Sequence, residues 1–255
     1  MIIAVDIGNS NIVIGGVQAD RILFEARLRT DATKTSDEYC IDLKMIFDIH
    51  HLELSQIEGS IIASVVPQVL NSVKTALWKL TGKTSLVVGP GVKTGLNIKV
   101  ENPNQTGADL VVGCVAAMRG YQPPLIVVDM GTATTMVVVD ASGAFIGGCI
   151  CPGVKISLDA LTQRTALLPG LQLDQPKRAI GRNTVDCMRS GIMLGTACMI
   201  DGMIQRLEEE LGSKATVVAT GGIAQFVIPL CRSDIHYEKN LILKGLAHIY
   251  RENLR

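Results

Sequence analysis

Val5-Asp6-Ile7-Gly8-Asn9-Ser10 and Val128-Asp129-Met130-Gly131-Thr132-Ala133-Thr134-Thr135 are the stretches that decide the fold. Each sets Asp-x-Gly between two β-rich runs, residues 2–5 and 12–17 in the first copy, 125–128 and 136–139 in the second. Apolar runs around a short polar turn with glycine read as a hairpin. Asp6 to Asp129 and Gly8 to Gly131 are both separated by 123 positions. One hairpin repeated once at a fixed offset implies two duplicated α/β halves rather than a solenoid. The division expected is 1–115, carrying the first turn, and 116–255, carrying the second.

Outward from the hairpins, residues 21–29 continue as a third strand. Ser36-Asp37-Glu38 opens a capped helix with apolar positions at Ile41, Leu43, Met45, Ile46 and Ile49. Residues 60–66 read as a buried strand ended by Pro67, 69–80 as a helix and 85–88 as a strand. The Gly/Pro/Asn-rich stretch 89–107 is loop by composition, and an apolar helix follows from Ala108 to about Met118. In the second half, 144–150 is a strand, Cys151-Pro152-Gly153 a turn and 156–165 a helix. A Pro/Gly-rich connection, 167–184, leads to a helical region over 185–211 with a break expected near Gly195. Residues 215–219 form a strand, and 241–250 a closing helix.

The chain has 255 residues, with 24 Lys+Arg against 24 Asp+Glu; 47% are hydrophobic and 19% charged, which excludes a disordered chain. Aromatics are only 4%, so the core must be built from Val, Ile, Leu, Ala and Gly, as in sheets flanked by helices. Zero net charge gives no footprint for nucleic acid or an anionic membrane, and neither partner is expected. The longest uncharged run, 215–231, contains Gly221-Gly222 and Pro229 and falls short of the ~18 apolar residues of a membrane helix. The start of the sequence lacks the basic segment of a signal peptide. A cytoplasmic location follows as the expectation. Seven scattered cysteines with no CxxC pair read as reduced thiols. Cys149 and Cys151 would share one face of a strand, but two thiolates alone make no zinc site. Around His50, His51, His236 and His248 the sequence sets no carboxylate or cysteine at the spacing of a recognisable motif.

An Asp-x-Gly turn has a chemical use. Glycine lets the backbone approach a ligand, and consecutive N–H groups form an anion-binding nest. Asn9, Ser10, Thr132 and Thr134 can add donors to phosphate oxygens. A carboxylate repels phosphate, so the Asp suits a metal that bridges phosphates, usually through water. One such turn reads as a plain tight turn; two in register read as a nucleotide clamp. Thr220-Gly221-Gly222 is either a strand-to-helix turn or a surface for a base or ribose. Asp109, at the start of a helix, is either a simple complement to the helix dipole or a general base taking a proton during phosphoryl transfer. The stretch from Gly147-Gly148 to Pro152-Gly153 is a close-packed strand and turn, or backbone on which a substrate chain lies.

Taken together, Asp6-Ile7-Gly8-Asn9-Ser10, Gly107-Ala108-Asp109, Asp129-Met130-Gly131-Thr132-Ala133-Thr134, Gly147-Gly148-x-Ile150-x-Pro152-Gly153 and Thr220-Gly221-Gly222 resemble the type III pantothenate kinases. The motifs span nearly the whole chain. The resemblance implies two duplicated ribonuclease-H-like domains of the actin, sugar-kinase and acetate-kinase superfamily, with mixed sheets flanked by helices. It implies ATP-dependent phosphorylation of pantothenate, the first step of coenzyme A synthesis. By the same resemblance the first phosphate loop is Asp6, Ile7, Gly8, Asn9, Ser10, Asn11, Ile12 and Val13, with Asp6 organising Mg2+ through water. Asp109 corresponds to the base that deprotonates the primary hydroxyl of pantothenate. Asp129 corresponds to the ligand of a monovalent cation, K+ or NH4+. Gly131, Thr132, Thr134, Gly221 and Gly222 fall in the ATP site. Val100, Gly107, Ala108, Leu110 and Thr184 fall in the substrate site. A homodimer is implied, with Thr184 serving the partner's site.

Two positions depart from the family pattern. Leu110 stands where the family has arginine, and Val100 where an aromatic is common. Leucine offers none of the forked, charge-assisted bonds of a guanidinium. That departure keeps two alternatives in view, a kinase of another small hydroxyl compound and a weakly active member with a regulatory or accessory role. Retention of Asp6, Asp109 and Asp129 argues against the second.

Overall fold

The computed structural model describes residues 1–19 and 21–254. The chain runs β1 (Ile2–Ile7), β2 (Asn11–Gln18), β3 (Arg21–Arg29), α1 (Ser36–Ile49), β4 (Gly59–Ser64), α2 (Pro67–Thr81), β5 (Leu86–Val87), β6 (Asn97–Ile98) and α3 (Ala108–Gly120). It continues through β7 (Leu125–Met130), β8 (Ala133–Val139), β9 (Ala144–Pro152), α4 (Val154–Arg164), α5 (Thr184–Leu211), β10 (Thr216–Thr220), α6 (Ala224–Val227), β11 (Ile235–Tyr237) and α7 (Leu241–Glu252). Two compact units result. One is Met1–Leu96 with Glu101–Ala116 and Asn240–Arg255; the other is Asn97–Val100 with Ala117–Lys239. A single cut at 115/116 therefore does not describe the grouping: the closing helix packs with the first half, and a four-residue piece of the long loop with the second.

In the first unit the sheet order is β3-β2-β1-β4-β5. β1 is antiparallel to β2 and parallel to β4, so the central strand is bonded along both edges. Its residues alternate accordingly. Ile3, Val5 and Ile7 enter a core with Tyr39, Leu43 and Phe47 of α1 and Val73 and Leu77 of α2. α7 covers the other face, where Gly15 provides the room that Leu243 needs: a Cβ there would lie 2.6 Å from the leucine Cδ1. α1 begins with a capping box in which the Thr35 hydroxyl accepts from Glu38 N and the Glu38 carboxylate accepts from Thr35 N. Pro67 does not merely end β4; it occupies the first turn of α2, where a missing N–H costs nothing.

The second unit repeats the plan with the order β11-β10-β7-β8-β9-β6. β7 is antiparallel to β8 and parallel to β10, as β1 is to β2 and β4. The extra strand β6 comes out of the stretch read as loop and pairs in parallel with β9 over two residues. Ile126, Val128 and Met130 pack against Ile192, Met193, Ala197, Ile200 and Ile204 of α5.

The expected break near Gly195 is absent, and α5 is one helix of 28 residues. A glycine inside a helix costs roughly 1 kcal/mol against alanine, and the buried stripe of α5 continues on both sides of Gly195 to hold the helix against the sheet. The strand expected to stop at Ile150 runs on to Pro152, because Cys151 and Pro152 pair with Thr134 and Ala133 of β8. Among the described residues no helix is long and apolar enough to cross a membrane.

Leu243→Ala tests the packing of α7. It should lower the unfolding free energy by about 2–5 kcal/mol, the usual range for a buried leucine truncated over a site that cannot collapse, read from urea unfolding curves.

Candidate active site

β1 and β7 each carry a carboxylate at their next-to-last residue, just before the turn. Asp6 sits opposite Val13 on β2 and beside Ala63 on β4. Asp129 sits opposite Thr135 on β8 and beside Thr220 on β10. Both aspartates are partly buried. The last pair before the turn is Ile7 with Ile12 in the first hairpin and Met130 with Thr134 in the second. The first turn is therefore one residue longer, and the sequence repeat slips from an offset of 123 to 122 across it.

The first turn is closed by Gly8 N donating to Asn11 O at 3.0 Å. Thr30 braces it from the end of β3: its hydroxyl donates to Gly8 O at 2.6 Å and its N–H to Ser10 O at 3.1 Å. Asn9, Ser10 and Asn11 are exposed, while Ile7 and Ile12 are buried in the core. Only main-chain atoms of those two isoleucines can meet a ligand. Thr30 is invisible to motif reading, because its role depends on β3 pairing with β2.

In the same unit, Asp109 lies in the first turn of α3, partly buried like its neighbours Gly107, Ala108 and Leu110. Its Oδ1 accepts from Leu110 N at 2.9 Å. Burial pushes its carboxyl above the ordinary aspartate value, against the opposing pull of main-chain N–H groups. A Cβ at Gly107 would run into that Oδ1, so glycine leaves the carboxylate its position. Leu110 brings no charge to this turn.

In the second unit, three motifs widely spaced in sequence meet at one hairpin. Gly131 N donates to Ala133 O at 3.0 Å to close the turn. A Cβ on Gly153 would lie 2.8 Å from Gly131 O and closer still to Thr132 O. Gly221 has φ +100°, and a Cβ there would fall 2.5 Å from Met130 O. Backbone thus packs on backbone around Gly131 and Thr132, where only glycine fits. Thr132 is partly buried, and Gly222 is exposed. Thr134 is fully buried, on the core face with Met136 rather than on the face of Asp129. Thr135, which the sequence reading passed over, shares the face of Asp129. The hydroxyls of Thr134 and Thr135 are buried without a hydrogen-bond partner among the described residues. Val100 is partly buried beside β6, and Thr184 is exposed at the start of α5 behind the N-cap Asn183.

Two sheets that share a five-strand order, each with a carboxylate and a glycine turn near the end of its central strand, define a duplicated α/β fold of the actin and sugar-kinase type. The component A of (R)-2-hydroxyglutaryl-CoA dehydratase from Acidaminococcus fermentans shares this fold, with a TM-score of 0.60 at 13% identity over 99% of this chain and 98% of that one. Within that class the chain belongs to the type III pantothenate kinase family, whose pattern matches residues 2–206. A type III pantothenate kinase of an Exiguobacterium species is 43% identical over 99% of both chains. One from Moorella thermoacetica is 42% identical, over 99% of this chain and all of that one.

The raised Asp109 carboxyl fixes the sign of a stability effect. Its folded pKa lies above the unfolded one, so its contribution is complete below about pH 3.8, the ordinary value, and is lost as pH rises through the folded value. At neutral pH the charge is a cost. Asp109→Asn should therefore be at least as stable as the parent at pH 7, with any gain fading on acidification, measured by denaturant unfolding at several pH values.

Proposed function

We propose that this chain transfers the γ-phosphoryl group of ATP to the primary hydroxyl of pantothenate, opening coenzyme A synthesis. The observation that carries the proposal is Asp109. A partly buried carboxyl whose pKa is raised by desolvation, with a main-chain bond from Leu110 N at the start of a helix, is a base poised to take a proton rather than an ion-pair partner. The family to which the chain belongs supplies the reaction and the need for ATP with a divalent metal.

The chain's own residues then divide the work. Beyond the Gly8 and Gly131 N–H groups, which close the turns themselves, the main chain of the two turns presents N–H groups to phosphate oxygens, with the Asn9, Ser10 and Thr132 side chains as further donors. Gly221 and Gly222 leave backbone open to the adenosine end. Asp109 accepts the proton of the attacking hydroxyl as the new P–O bond forms. Gly107, Ala108, Leu110 and Val100 line the acceptor, and Thr184 serves the site of a second copy in a homodimer of the cytoplasm. Hard cations prefer oxygen ligands, and the carboxylates at the ends of β1 and β7 fit that preference, as does the orphaned Thr135 hydroxyl beside Asp129. Asp6 would hold magnesium through water and Asp129 a potassium or ammonium ion. Bound there, the cations supply neutralisation of phosphate charge.

Leu110 favours a second reading, in which the acceptor is another small hydroxyl compound. Coupled ADP release with ATP, magnesium and potassium, with pantothenate or with other hydroxyl acceptors, separates the two. Pantothenate-dependent release is expected; release only with another acceptor overturns the assignment. Asp109→Asn should lower kcat by roughly 10²–10⁴-fold, the range of a general base, with ATP binding nearly unchanged. A parallel loss of ATP binding would remove the base role. Potassium should stimulate the parent over sodium, and Asp129→Asn should abolish the difference.

A further inference from the structure

Cys149 and Cys151 have no part in the function proposed above. They stand two apart on β9, so their side chains leave one face of the strand and Ile150 leaves the other. Cys149 lies opposite Met136 and Cys151 opposite Thr134. Both are partly exposed, and Cys149 also packs against the apolar core of its unit. Burial, and after it the neighbouring thiol, push Cys149 above the ordinary thiol value, which suits it to resolve an oxidised neighbour rather than to attack first. None of the other five cysteines is placed two residues from a second thiol on the same strand face.

We infer that Cys149 and Cys151 form a reversible dithiol–disulfide site that reacts with hydroperoxides and governs the second hairpin. The Cys151 thiolate attacks one oxygen of the hydroperoxide; the O–O bond breaks, an alcohol or water leaves, and Cys151 becomes a sulfenic acid. The Cys149 sulfur then attacks the Cys151 sulfur. The S–O bond breaks, the S–S bond forms, and the departing hydroxide leaves as water with the Cys149 proton. The peroxide gains two electrons and the dithiol loses two. An extended strand holds the Cα atoms, and the parallel Cβ atoms, of residues two apart at about 6.6 Å; that lies inside the Cα range of a disulfide but beyond the roughly 3.5–4.5 Å it needs between Cβ atoms, so the ring closes only if β9 bends. Ring closure draws β9 in at Cys151 and Pro152, the partners of Thr134 and Ala133. Gly153, whose backbone presses on Gly131 and Thr132, follows directly. The oxidised strand therefore misplaces that turn. This last step, and only this step, rests on the reading of the turn as a phosphate site.

The test treats the full-length protein with limiting hydrogen peroxide, blocks remaining thiols and maps the products. Trypsin leaves both cysteines on the peptide 120–155, between Arg119 and Lys155. Expected are the loss of two of the seven thiols, two hydrogens missing from that peptide, and full recovery with dithiothreitol. Cys149→Ser should keep untreated activity and trap a dimedone-reactive Cys151. Oxidation should lower kcat/KM for ATP by about tenfold or more, as ångström-scale displacement of binding groups does, and the double serine variant should resist. Oxidation confined to the exposed Cys187 or Cys198 overturns the site. Equal inactivation of parent and double variant overturns its control of the hairpin. If the untreated protein turns over no ATP, the kinase reading fails while thiol mapping still decides the site.

Discussion

Hydrogen bonding along both edges of a central strand is the constraint on which the molecule depends. β1 and β7 each have an antiparallel neighbour on one side and a parallel one on the other. A strand so held cannot slip by one residue without turning its whole apolar set out of the core. That fixed register sends Ile3, Val5 and Ile7 inward in one unit and Ile126, Val128 and Met130 inward in the other. Asp6 and Asp129 then have no choice but the opposite face, next to the turn. The chemistry at each strand end is thus set by the packing of the strand behind it.

The two hairpins solve the same problem by different means. The first is braced by side-chain and main-chain bonds from Thr30, and its tip is open and polar. The second is braced by direct contact of backbone with backbone at Gly153 and Gly221. A hydroxyl bond can be re-made after a small displacement; a contact with no side chain in it cannot. The second turn is accordingly held by close packing around Gly131 and Thr132, the first by hydrogen bonds beneath Asn9 and Ser10.

What the sequence made legible was local. Both hairpins, the long helices and the Asp-x-Gly repeat could be read because period, turn chemistry and spacing lie within a few residues of one another. The slip of one residue between the two turns was hidden, since the Asp and Gly positions match and only the strand pairing reveals it. β6, of two residues, and β11, of three, are too short to leave a pattern. Gly195 misled because propensity was weighed without the sheet that α5 packs against. Thr30, Thr135 and the placing of α7 depend on partners far along the chain, and no window of sequence contains them. Asp109 could be singled out as a candidate, but its altered acidity comes from burial, which only the folded unit provides.

The place of α7 has a consequence for how the protein is made. Its apolar positions, Leu241, Leu243, Leu246 and Ile249, are buried in the first unit, which begins at Met1 and closes over β1, β2 and β4. Yet α7 follows the whole run Ala117–Lys239, which belongs to the second unit. During translation the first sheet must wait, with one apolar face uncovered, while the entire second unit emerges. No residue after Lys239 belongs to the second unit. The half translated first is therefore the half completed last, and the interval between is when the nascent chain has most need of a chaperone.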